Sequence, residues 1–405
     1  MRLTIWYITK YGTTPSVPGR LGPRGFNILK EMSQRGHRTL MFVSDSTHLA
    51  DMPRMNTAYK SQNESGVEVH WVRTIRYSSE RSFRRIVSWL DFEWRVLRMP
   101  KADLSRPDVI IASSLSLLSI VSGIILSRRY RCKLVFEVRD VWPLVLYEEG
   151  GFSRWNPAVI ALGWIERLGY SWADIIVGTM PNLGLRVREV LGREKPTACI
   201  PMGVDEELVD HIQTLPQGYE ETYFPIDKFV ICHAGAIGVS NALETFFECA
   251  RLMKENDKVQ FLVLGDGYLK ADYQRQTADL VNVTFAPSVP KVMVQSILVK
   301  CDLVYFAMQS SKILDYGQSL NKVVDYMLSG RPVVASFSGF PSMINEANCG
   351  TFVPANDPHA LKVEIERYAA MPAAERKEIG ARGRDWILAN RRYARLADNY
   401  LRLFN

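Results

Sequence analysis

The sequence lacks the cysteine and histidine patterns that form disulfides or bind metals. Its 405 residues include six cysteines, but these lie far apart, without metal-ligand or redox spacing, and the histidines are not grouped. It also lacks an Asp-x-Asp motif. We therefore expect free thiols in a reducing compartment, no bound metal and no cofactor. The cysteines are Cys132, Cys199, Cys232, Cys249, Cys301 and Cys349.

The sequence also has little that would direct it into a membrane. Residues 1–16 lack the layout of a signal peptide, so we expect a cytoplasmic protein. One run, 109–127, is long and apolar enough to suggest a membrane span. Because it opens with Val-Ile-Ile and then becomes serine-rich, we favour a buried strand followed by a helix. The alternative is a single-span anchor.

Low-complexity tracts and charged tails are absent too, and 47% of the residues are hydrophobic, which is typical of a packed soluble protein. The length suits two domains. Residues 1–200 hold 29 lysines and arginines against 18 acidic residues, whereas the remainder holds 21 against 25. This asymmetry predicts two domains with different partners, the first of them nucleic acid or an anionic membrane surface.

Strands and helices alternate along the chain, and the cycle restarts near Phe229. The pattern predicts an α/β protein with two Rossmann-like, doubly wound domains facing a cleft, where ligands bind at the carboxyl ends of the strands. We place the domains at 1–205 and 206–390, with 391–405 as a helix that returns to the first domain. The predicted strands are Arg2–Thr9, Arg38–Ser44, Val67–Val72, Asp108–Ala112, Lys133–Val138, Asp174–Thr179, Thr197–Ile200, Phe229–Ala234, Val259–Leu264, Val283–Ala286, Asp302–Ala307 and Pro332–Ser336.

Two glycine turns follow strands in the second half. The first contains Gly238 and leads to Asn241, and the second contains Gly265 and Gly267. Glycines let backbone amides approach a phosphate, and a following helix favours its negative charge. The alternative is tight packing without a ligand. Two such turns in one domain favour a nucleotide site.

The segment 317–334 carries the strongest signal. It predicts a helix that begins with Ser319 as its N-cap. Asn321 and Lys322 then lie in the first turn, where backbone amides and an ammonium group together can hold a diphosphate. Asp325 shares that face, and its carboxylate can bind the hydroxyls of a ribose. The alternative is a solvated Lys–Asp pair on an ordinary helix.

This segment resembles the signature of retaining glycosyltransferases of family 4, which have the GT-B fold. It is most similar to the branch that makes bacterial O-antigen and capsule, including N-acetylfucosamine transferases, whose pattern is Gly-x-Ser-Pro-Asn-Lys-x-x-Asp-Tyr-Met. Here Leu320 replaces the proline. The resemblance implies that Lys322 holds the donor diphosphate and Asp325 the ribose. The chain departs from the wider family in two places. Gly317 stands where the family has a glutamate, and Val239-Ser240-Asn241 stands where the family has Arg and Lys.

The first half agrees with this resemblance. Gly22 and Arg24 open a helix with the spacing of the family's glycine loop, which implies contact with the acceptor. The alternative for Arg24 is a surface residue at a helix start. The segment 137–143 resembles the branch's Arg-Asp-x-Trp-Pro pattern, which makes Arg139 and Asp140 candidate catalytic residues. On a strand these two would point to opposite sides, and the alternative is a structural ion pair.

The resemblance implies transfer of a hexosyl or N-acetylhexosaminyl group, with retention, from a UDP-sugar to a polyprenyl-diphosphate-linked saccharide in surface polysaccharide synthesis. Lys322 and the helix amides would stabilise the leaving diphosphate, and the fold class needs no metal. Two rivals stay open. One is a GT-B sugar-nucleotide epimerase or hydrolase, and the other is a basic protein that binds nucleic acid or lipid and has an inactive fold.

A basic and aromatic stretch lies between residues 73 and 101. Its apolar residues follow helical spacing, which is typical of a core-facing helix but also of one that lies in a lipid interface. We expect the second, because arginines and tryptophans alternate with the apolar residues, and we predict a peripheral enzyme on the inner face of the plasma membrane. The candidate membrane contacts are Arg81, Arg84, Arg85, Trp89 and Trp94.

Overall fold

The computed structural model describes residues 2–17, 23–47, 50, 52, 54–77, 83–204, 206, 209 and 212–404. The chain folds into two compact units. The first consists of Met1–Pro201 and Tyr393–Asn405, and the second of Met202–Arg392. The sequence-based boundary after residue 205 lies slightly further along the chain.

The first unit is built on a sheet of eight described strands in the order β3-β4-β2-β1-β5-β6-β7-β8. Neighbouring strands are parallel except β3, which pairs antiparallel with β4 at the edge. The strands are β1 (Thr4–Ile8), β2 (Arg38–Ser44), β3 (Tyr59–Glu64), β4 (Val67–Val72), β5 (Val109–Ser113), β6 (Lys133–Val138), β7 (Ile175–Gly178) and β8 (Thr197–Cys199). The helices are α1 (Arg24–Gln34), α2 (Phe83–Arg98), α3 (Ser119–Tyr130), α4 (Leu144–Glu148), α5 (Pro157–Trp172) and α6 (Leu183–Leu191).

The apolar run 109–127 forms a buried strand and a helix, as the sequence predicts. Every residue of β5 is buried, as expected for a central parallel strand that is covered on both faces of the sheet. Within the described residues, no helix is long and apolar enough to cross a membrane.

The second unit repeats the arrangement with six described strands in the order β11-β10-β9-β12-β13-β14, all parallel. Apolar cores lie on both faces of this sheet. The strands are β9 (Phe229–Ala234), β10 (Val259–Leu264), β11 (Val283–Ala286), β12 (Leu303–Ala307), β13 (Val333–Ser336) and β14 (Gly350–Val353). The helices are α7 (Tyr219–Tyr223), α8 (Glu244–Leu252), α9 (Lys270–Gln276), α10 (Lys291–Leu298), α11 (Asn321–Leu328), α12 (Met343–Glu346), α13 (Pro358–Ala370) and α14 (Ala373–Arg391), with 3-10 helices at Val239–Asn241 and Lys312–Tyr316.

The last helix, α15 (Tyr393–Phe404), belongs to the first unit. Its buried residues Leu396, Tyr400 and Phe404 join the core cluster that contains Phe26 and Leu29 of α1. Residues from opposite ends of the sequence therefore form one core.

Candidate active site

The two glycine turns of the second unit form one structure. The Ile237 N–H donates to the carbonyl oxygen of Asp266 at 2.9 Å. A Cβ added to Gly265 would lie 1.9 Å from the carbonyl oxygen of Gly235, and one added to Gly267 would lie 2.1 Å from that of Ile237. Only glycine allows the two backbones to approach this closely. Gly265 and Gly267 therefore join the turns, a structural role that is independent of their predicted contact with a nucleotide.

Lys322 links α11 to the first glycine turn. Its Nζ donates a hydrogen bond to Oδ1 of Asn241, whose own amide nitrogen donates to the carbonyl oxygen of Ala236 at 2.8 Å. A Cβ added to Gly235 would lie 3.7 Å from this Nζ. Burial lowers the pKa of Lys322 to about 8, so the side chain is mostly cationic at neutral pH. The structure therefore brings together a cation, a buried amide and the backbone of a glycine turn.

The start of α11 differs from the sequence prediction. Leu320 is the N-cap residue, and no side chain caps the helix. Ser319 is not the N-cap, because its hydroxyl accepts a hydrogen bond from the Met202 N–H at 2.8 Å instead. Asn321 and Lys322 lie in the first turn, as predicted, and Asn321 is exposed. The first amides of α11 therefore have no side-chain cap, which leaves the helix start suited to an anion.

Asp325 and Gly317 flank this helix start. Asp325 lies one turn along α11 from Lys322 and is half-buried, and its carbonyl oxygen accepts a hydrogen bond from Gln295 at 2.9 Å. Gly317 has φ +83°, a conformation that residues with a Cβ rarely adopt. The absence of the family's glutamate at this position therefore coincides with a backbone shape that favours glycine.

Gly238 adopts an extended backbone, with φ −153°, and a Cβ there would lie 3.3 Å from the ring of Tyr268. Tyr268 is 73% exposed, so its ring can move aside. Unlike Gly265, Gly238 is therefore not required by the packing of the two turns. Its predicted contact with the nucleotide stays a prediction.

His233 was not among the residues predicted from the sequence. This residue is completely buried in β9, and neither ring nitrogen has a hydrogen bond of good geometry with any described residue. Burial, and secondarily the charge of Lys322, lowers its pKa to about 3, so the ring is neutral. The available signal was a histidine in an otherwise apolar strand, two residues before a glycine turn. A buried neutral imidazole therefore lies next to the first glycine turn, since a Cβ added to Gly235 would be 3.6 Å from its Nε2.

In the first unit, Arg24 has a structural role. Its side chain is completely buried and pairs with Glu137 at 2.5 Å, and it also donates to the carbonyl oxygens of Ile200 and Pro201. Tyr7 and Tyr400 donate to the same carboxylate. The predicted acceptor contact of Arg24 is wrong, because a side chain without exposed surface cannot meet an acceptor. Gly22, the other predicted acceptor contact, lies outside the described residues.

Electrostatics explain why this cluster is stable. Burial alone would raise the pKa of Glu137, but Arg24 and Arg139, together with the hydrogen bonds from Tyr400 and Tyr7, lower it to about 2. Burial and the charge of Glu137 in turn raise the pKa of Tyr7. The carboxylate is therefore ionised and paired across the physiological range.

Arg139 and Asp140 lie in a bend rather than on a strand, because β6 ends at Val138. The strand alternation that would point them to opposite sides therefore does not apply. The Arg139 N–H donates to Oγ of Ser114 at 2.9 Å, and Asp140 is exposed. Desolvation by surrounding protein raises the pKa of Asp140, while Arg139 and Arg85 oppose this shift. The bend at the carboxyl end of β6 thus presents an exposed carboxylate whose charge is favoured by two arginines.

The candidate membrane residues divide between the two sides of α2. Trp89 is buried, and its indole N–H donates to the hydroxyl of Tyr11 at 2.7 Å, so its predicted lipid contact is wrong. Arg85 is half-buried and donates to the same hydroxyl at 3.2 Å. Trp94 is 56% exposed, and Arg84 is exposed as well. Arg81 lies outside the described residues.

Among the described residues, no group of three or more histidine, cysteine, aspartate and glutamate side chains is placed to hold a metal ion. Each described cysteine is a free thiol.

Family models match both halves of the chain. Residues 24–203 match the glycosyl transferase 4-like domain, and residues 228–370 match the glycosyl transferases group 1 domain. Together the two models cover most of the sequence. A search of curated proteins found no match.

Solved structures with the same fold cover the whole chain. Sucrose-phosphate synthase from Thermosynechococcus elongatus matches with a TM-score of 0.72 and 16% identity, over 100% of this chain and 98% of that one. Trehalose-6-phosphate synthase OtsA matches with a TM-score of 0.73 and 12% identity, over 100% and 99%. Anabaena HepE in complex with UDP-glucose matches with a TM-score of 0.62 and 14% identity, over 99% of each chain. With both halves matched in order and the fold shared, the chain belongs to the glycosyltransferases of the GT-B type, with a 4-like domain followed by a group 1 domain.

Proposed function

We propose that this glycosyltransferase transfers a sugar, with retention of configuration, from a UDP-sugar to a lipid-linked saccharide in the synthesis of a bacterial surface polysaccharide. The hydrogen bond between Lys322 and Asn241 is the main observation in favour of a nucleotide-sugar site in the second unit. It holds a cation at the uncapped start of α11, against the first glycine turn. HepE, which shares the fold, was solved with UDP-glucose, and this supports a uridine nucleotide.

Lys322 and the first amides of α11 would stabilise the charge that grows on the departing diphosphate. Asp325, one turn further along the helix, would bind the ribose hydroxyls. Asn241 orients the ammonium group, since it is itself fixed by its bond to Ala236. In this arrangement the cation is in place before the donor arrives, so little reorganisation is needed as charge develops.

In the first unit, Asp140 is the candidate for stabilising positive charge on the transferred sugar, because the transition state resembles an oxocarbenium ion. Arg139 is the candidate for orienting it. The departing phosphate itself would accept the proton of the acceptor hydroxyl, so no separate base is required.

A lipid-linked acceptor requires the enzyme to work at the membrane, and we propose that it binds the inner face of the plasma membrane. The exposed side chains of Ile86, Leu90 and Trp94 form one stripe along α2, with exposures of 45%, 57% and 56%. A stripe that faces solvent is not part of the core, which favours the lipid interpretation of this helix. Arg84 lies near the start of the stripe and is also exposed.

Thermal shift and product release test the proposal together. UDP should raise the melting temperature of the second unit more than GDP does, because the nucleotide that binds the folded state more tightly stabilises it more. A screen of UDP- and GDP-sugars should show release of UDP that depends on a polyprenyl-diphosphate-linked saccharide. Release at the same rate without an acceptor would favour a hydrolase, and a melting shift with RNA or DNA alone would favour the nucleic-acid rival.

A further inference from the structure

Three neighbouring helices of the first unit expose apolar side chains. On α5, Ile160, Trp164, Leu168 and Trp172 recur every four residues and are 44%, 70%, 40% and 48% exposed. Such spacing places them along one side of the helix. The opposite side of α5 is buried, for example at Tyr170. The solvent-facing side of α5 is therefore largely apolar.

The helices α2, α3 and α5 form one layer. Glu93 of α2 accepts hydrogen bonds from Ser119 and Ser122 of α3 at 2.9 and 2.5 Å. On the other side of α3, a Cβ at Gly169 of α5 would lie 3.0 Å from Ile120. The apolar stripes of α2 and α5 therefore belong to one layer of packed helices, with Ile125 of α3, which is 46% exposed, on the helix between them.

Tryptophan is concentrated on this layer and beside it. All nine tryptophans lie in the described part of the chain, and four of them are exposed. Trp94, Trp164 and Trp172 are on α2 and α5, and Trp155, 85% exposed, lies two residues before α5. Large exposed aromatic side chains mark interaction surfaces rather than ordinary solvent-facing surface. Tryptophan in particular favours the interface between lipid headgroups and acyl chains.

The exposed charges on the described residues of these helices are all positive. Within their described residues, the acidic side chains are Asp91, Glu93 and Glu166, and none of them is exposed. Asp91 pairs with Arg95 and Glu166 with Arg186. By contrast, the exposed arginines are Arg84, Arg98, Arg128, Arg129 and Arg167.

Two of these arginines stack on the exposed tryptophans. The Cζ of Arg98 lies 4.1 Å from the ring centre of Trp94, and that of Arg128 lies 3.3 Å from that of Trp172. Each pair presents an indole next to a guanidinium group, which matches a surface that has acyl chains beneath anionic headgroups.

We infer that Leu90, Trp94, Ile125, Trp164, Leu168 and Trp172, here called the outer face, dock this unit on an anionic lipid bilayer. The inference rests on the proposed function and extends its membrane part, which was argued from α2, by making α5 the principal contact. Positive charge beside apolar side chains, with no exposed carboxylate on the described residues of the three helices, complements a negatively charged lipid surface. A protein partner would have to be equally acidic around an apolar centre.

Vesicle flotation tests the inference. Wild-type protein should bind phosphatidylglycerol vesicles at low salt, bind phosphatidylcholine vesicles weakly, and lose affinity for the first as salt is raised. Trp164→Ser with Leu168→Ser should lower the affinity for phosphatidylglycerol at least tenfold. Arg128→Glu with Arg129→Glu should lower it at low salt but much less at high salt, because the electrostatic part is then already screened.

The matched control is Ile226→Ser with Val281→Ser in the second unit, where the side chains are 89% and 86% exposed. This control should bind vesicles like the wild type. Equal vesicle binding by wild type and the Trp164/Leu168 variant would overturn the inference. So would a wild-type dimer that binds no vesicles and becomes monomeric in that variant, since a second copy would then cover the face.

The melting shift with UDP, measured on the same samples, separates this inference from the proposed function. The Trp164/Leu168 variant should keep the UDP shift, because its substitutions lie on the surface of the first unit. A wild type that binds vesicles without any UDP shift would reject the proposed donor site and leave the bilayer contact standing.

Discussion

At the scale of single residues, Lys322 carries the largest prediction. Lys322→Met removes the charge but keeps most of the apolar stem, and we expect turnover to fall about a hundredfold, as for the loss of one preorganised donor to a developing charge. The fold should be kept, because Val323, Val324 and Met327 hold α11. Steady-state kinetics with Lys291→Ala, an exposed lysine of the same unit, as the control will check this.

The pKa of Lys322 adds a pH dependence. Because burial lowers this pKa to about 8, the ammonium group loses its proton as the pH rises above that value. The affinity of the protein for UDP should therefore decrease above about pH 8. Calorimetric titration with UDP from about pH 7 to about pH 9.5 should show this slope in the wild type and not in Lys322→Met. The same slope in both proteins would show that another group titrates.

Asp140 is the first unit's candidate catalytic carboxylate. Asp140→Asn keeps the shape of the side chain and removes the charge, so we expect turnover to fall at least about tenfold while UDP affinity is unchanged. Glu148→Gln is the matched control, since Glu148 lies nearby and forms an ion pair with Arg154. Equal activity of the two variants would remove Asp140 from the reaction.

The buried pair of Arg24 and Glu137 predicts a stability effect. Glu137→Gln leaves the Arg24 charge buried without its partner, and we expect the first unit to lose about 3–5 kcal/mol of unfolding free energy. The double change Arg24→Met with Glu137→Leu should lose less, because no charge then stays buried. Urea unfolding followed by tryptophan fluorescence suits the test, since every tryptophan except Trp386 lies in the first unit.

The same pair predicts that the first unit loses stability at low pH. The folded pKa of Glu137, about 2, lies below its ordinary value of 4.5, so its contribution to stability is fully present above the ordinary value. That contribution is lost as the pH falls from 4.5 towards 2, because the unfolded state takes up a proton there while the folded state stays ionised. The stability of Glu137→Gln should therefore depend less on pH in that range.

At the scale of elements, the joined glycine turns predict that alanine is more destabilising at Gly265 than at Gly238. Gly265→Ala would place a Cβ 1.9 Å from a carbonyl oxygen, so the turns must separate, and we expect a loss of at least about 1–3 kcal/mol together with weaker UDP binding. Gly238→Ala meets only the exposed Tyr268 ring and should leave the melting temperature nearly unchanged. Thermal unfolding of both variants decides this, and equal losses would contradict it.

The strands also show which elements the hydrophobic pattern of the sequence predicts and which it does not. The strands Arg38–Ser44, Lys133–Val138 and Val259–Leu264 have their predicted bounds, because apolar residues buried on both faces leave a clear signal. β3 was missed, since its residues, Tyr59–Glu64, are polar and lie at the sheet edge. β14, Gly350–Val353, was missed as well, and its first residue is glycine, which is depleted in strands.

At the scale of the whole molecule, the proposed chemistry predicts independence from metal ions. Activity should be unchanged in EDTA, because Lys322 and the α11 amides, rather than a divalent ion, would neutralise the leaving diphosphate. Initial rates with EDTA and with EDTA plus excess magnesium provide the measurement. Activity that EDTA abolishes and magnesium restores would show that the donor site is incomplete without a metal.

Local patterns in the sequence were enough to predict the α/β class, the two repeats and the placement of Lys322 in the first turn of a helix. Periodicity and turn residues act over short distances along the chain, and they can be recognised without knowledge of distant contacts. The family pattern in 317–327 is local as well. This is why the enzyme class could be predicted before any contact was known.

The burial of side chains and their pairing emerged only from the folded structure. Arg24, Glu137 and Tyr400 lie far apart in the sequence and form one cluster, so no local pattern could show that Arg24 is internal. The same holds for His233 beside Lys322, and for Trp89 and Trp94, which lie on opposite sides of one helix. Burial and pKa depend on everything that surrounds a group, and most of those neighbours come from distant parts of the chain.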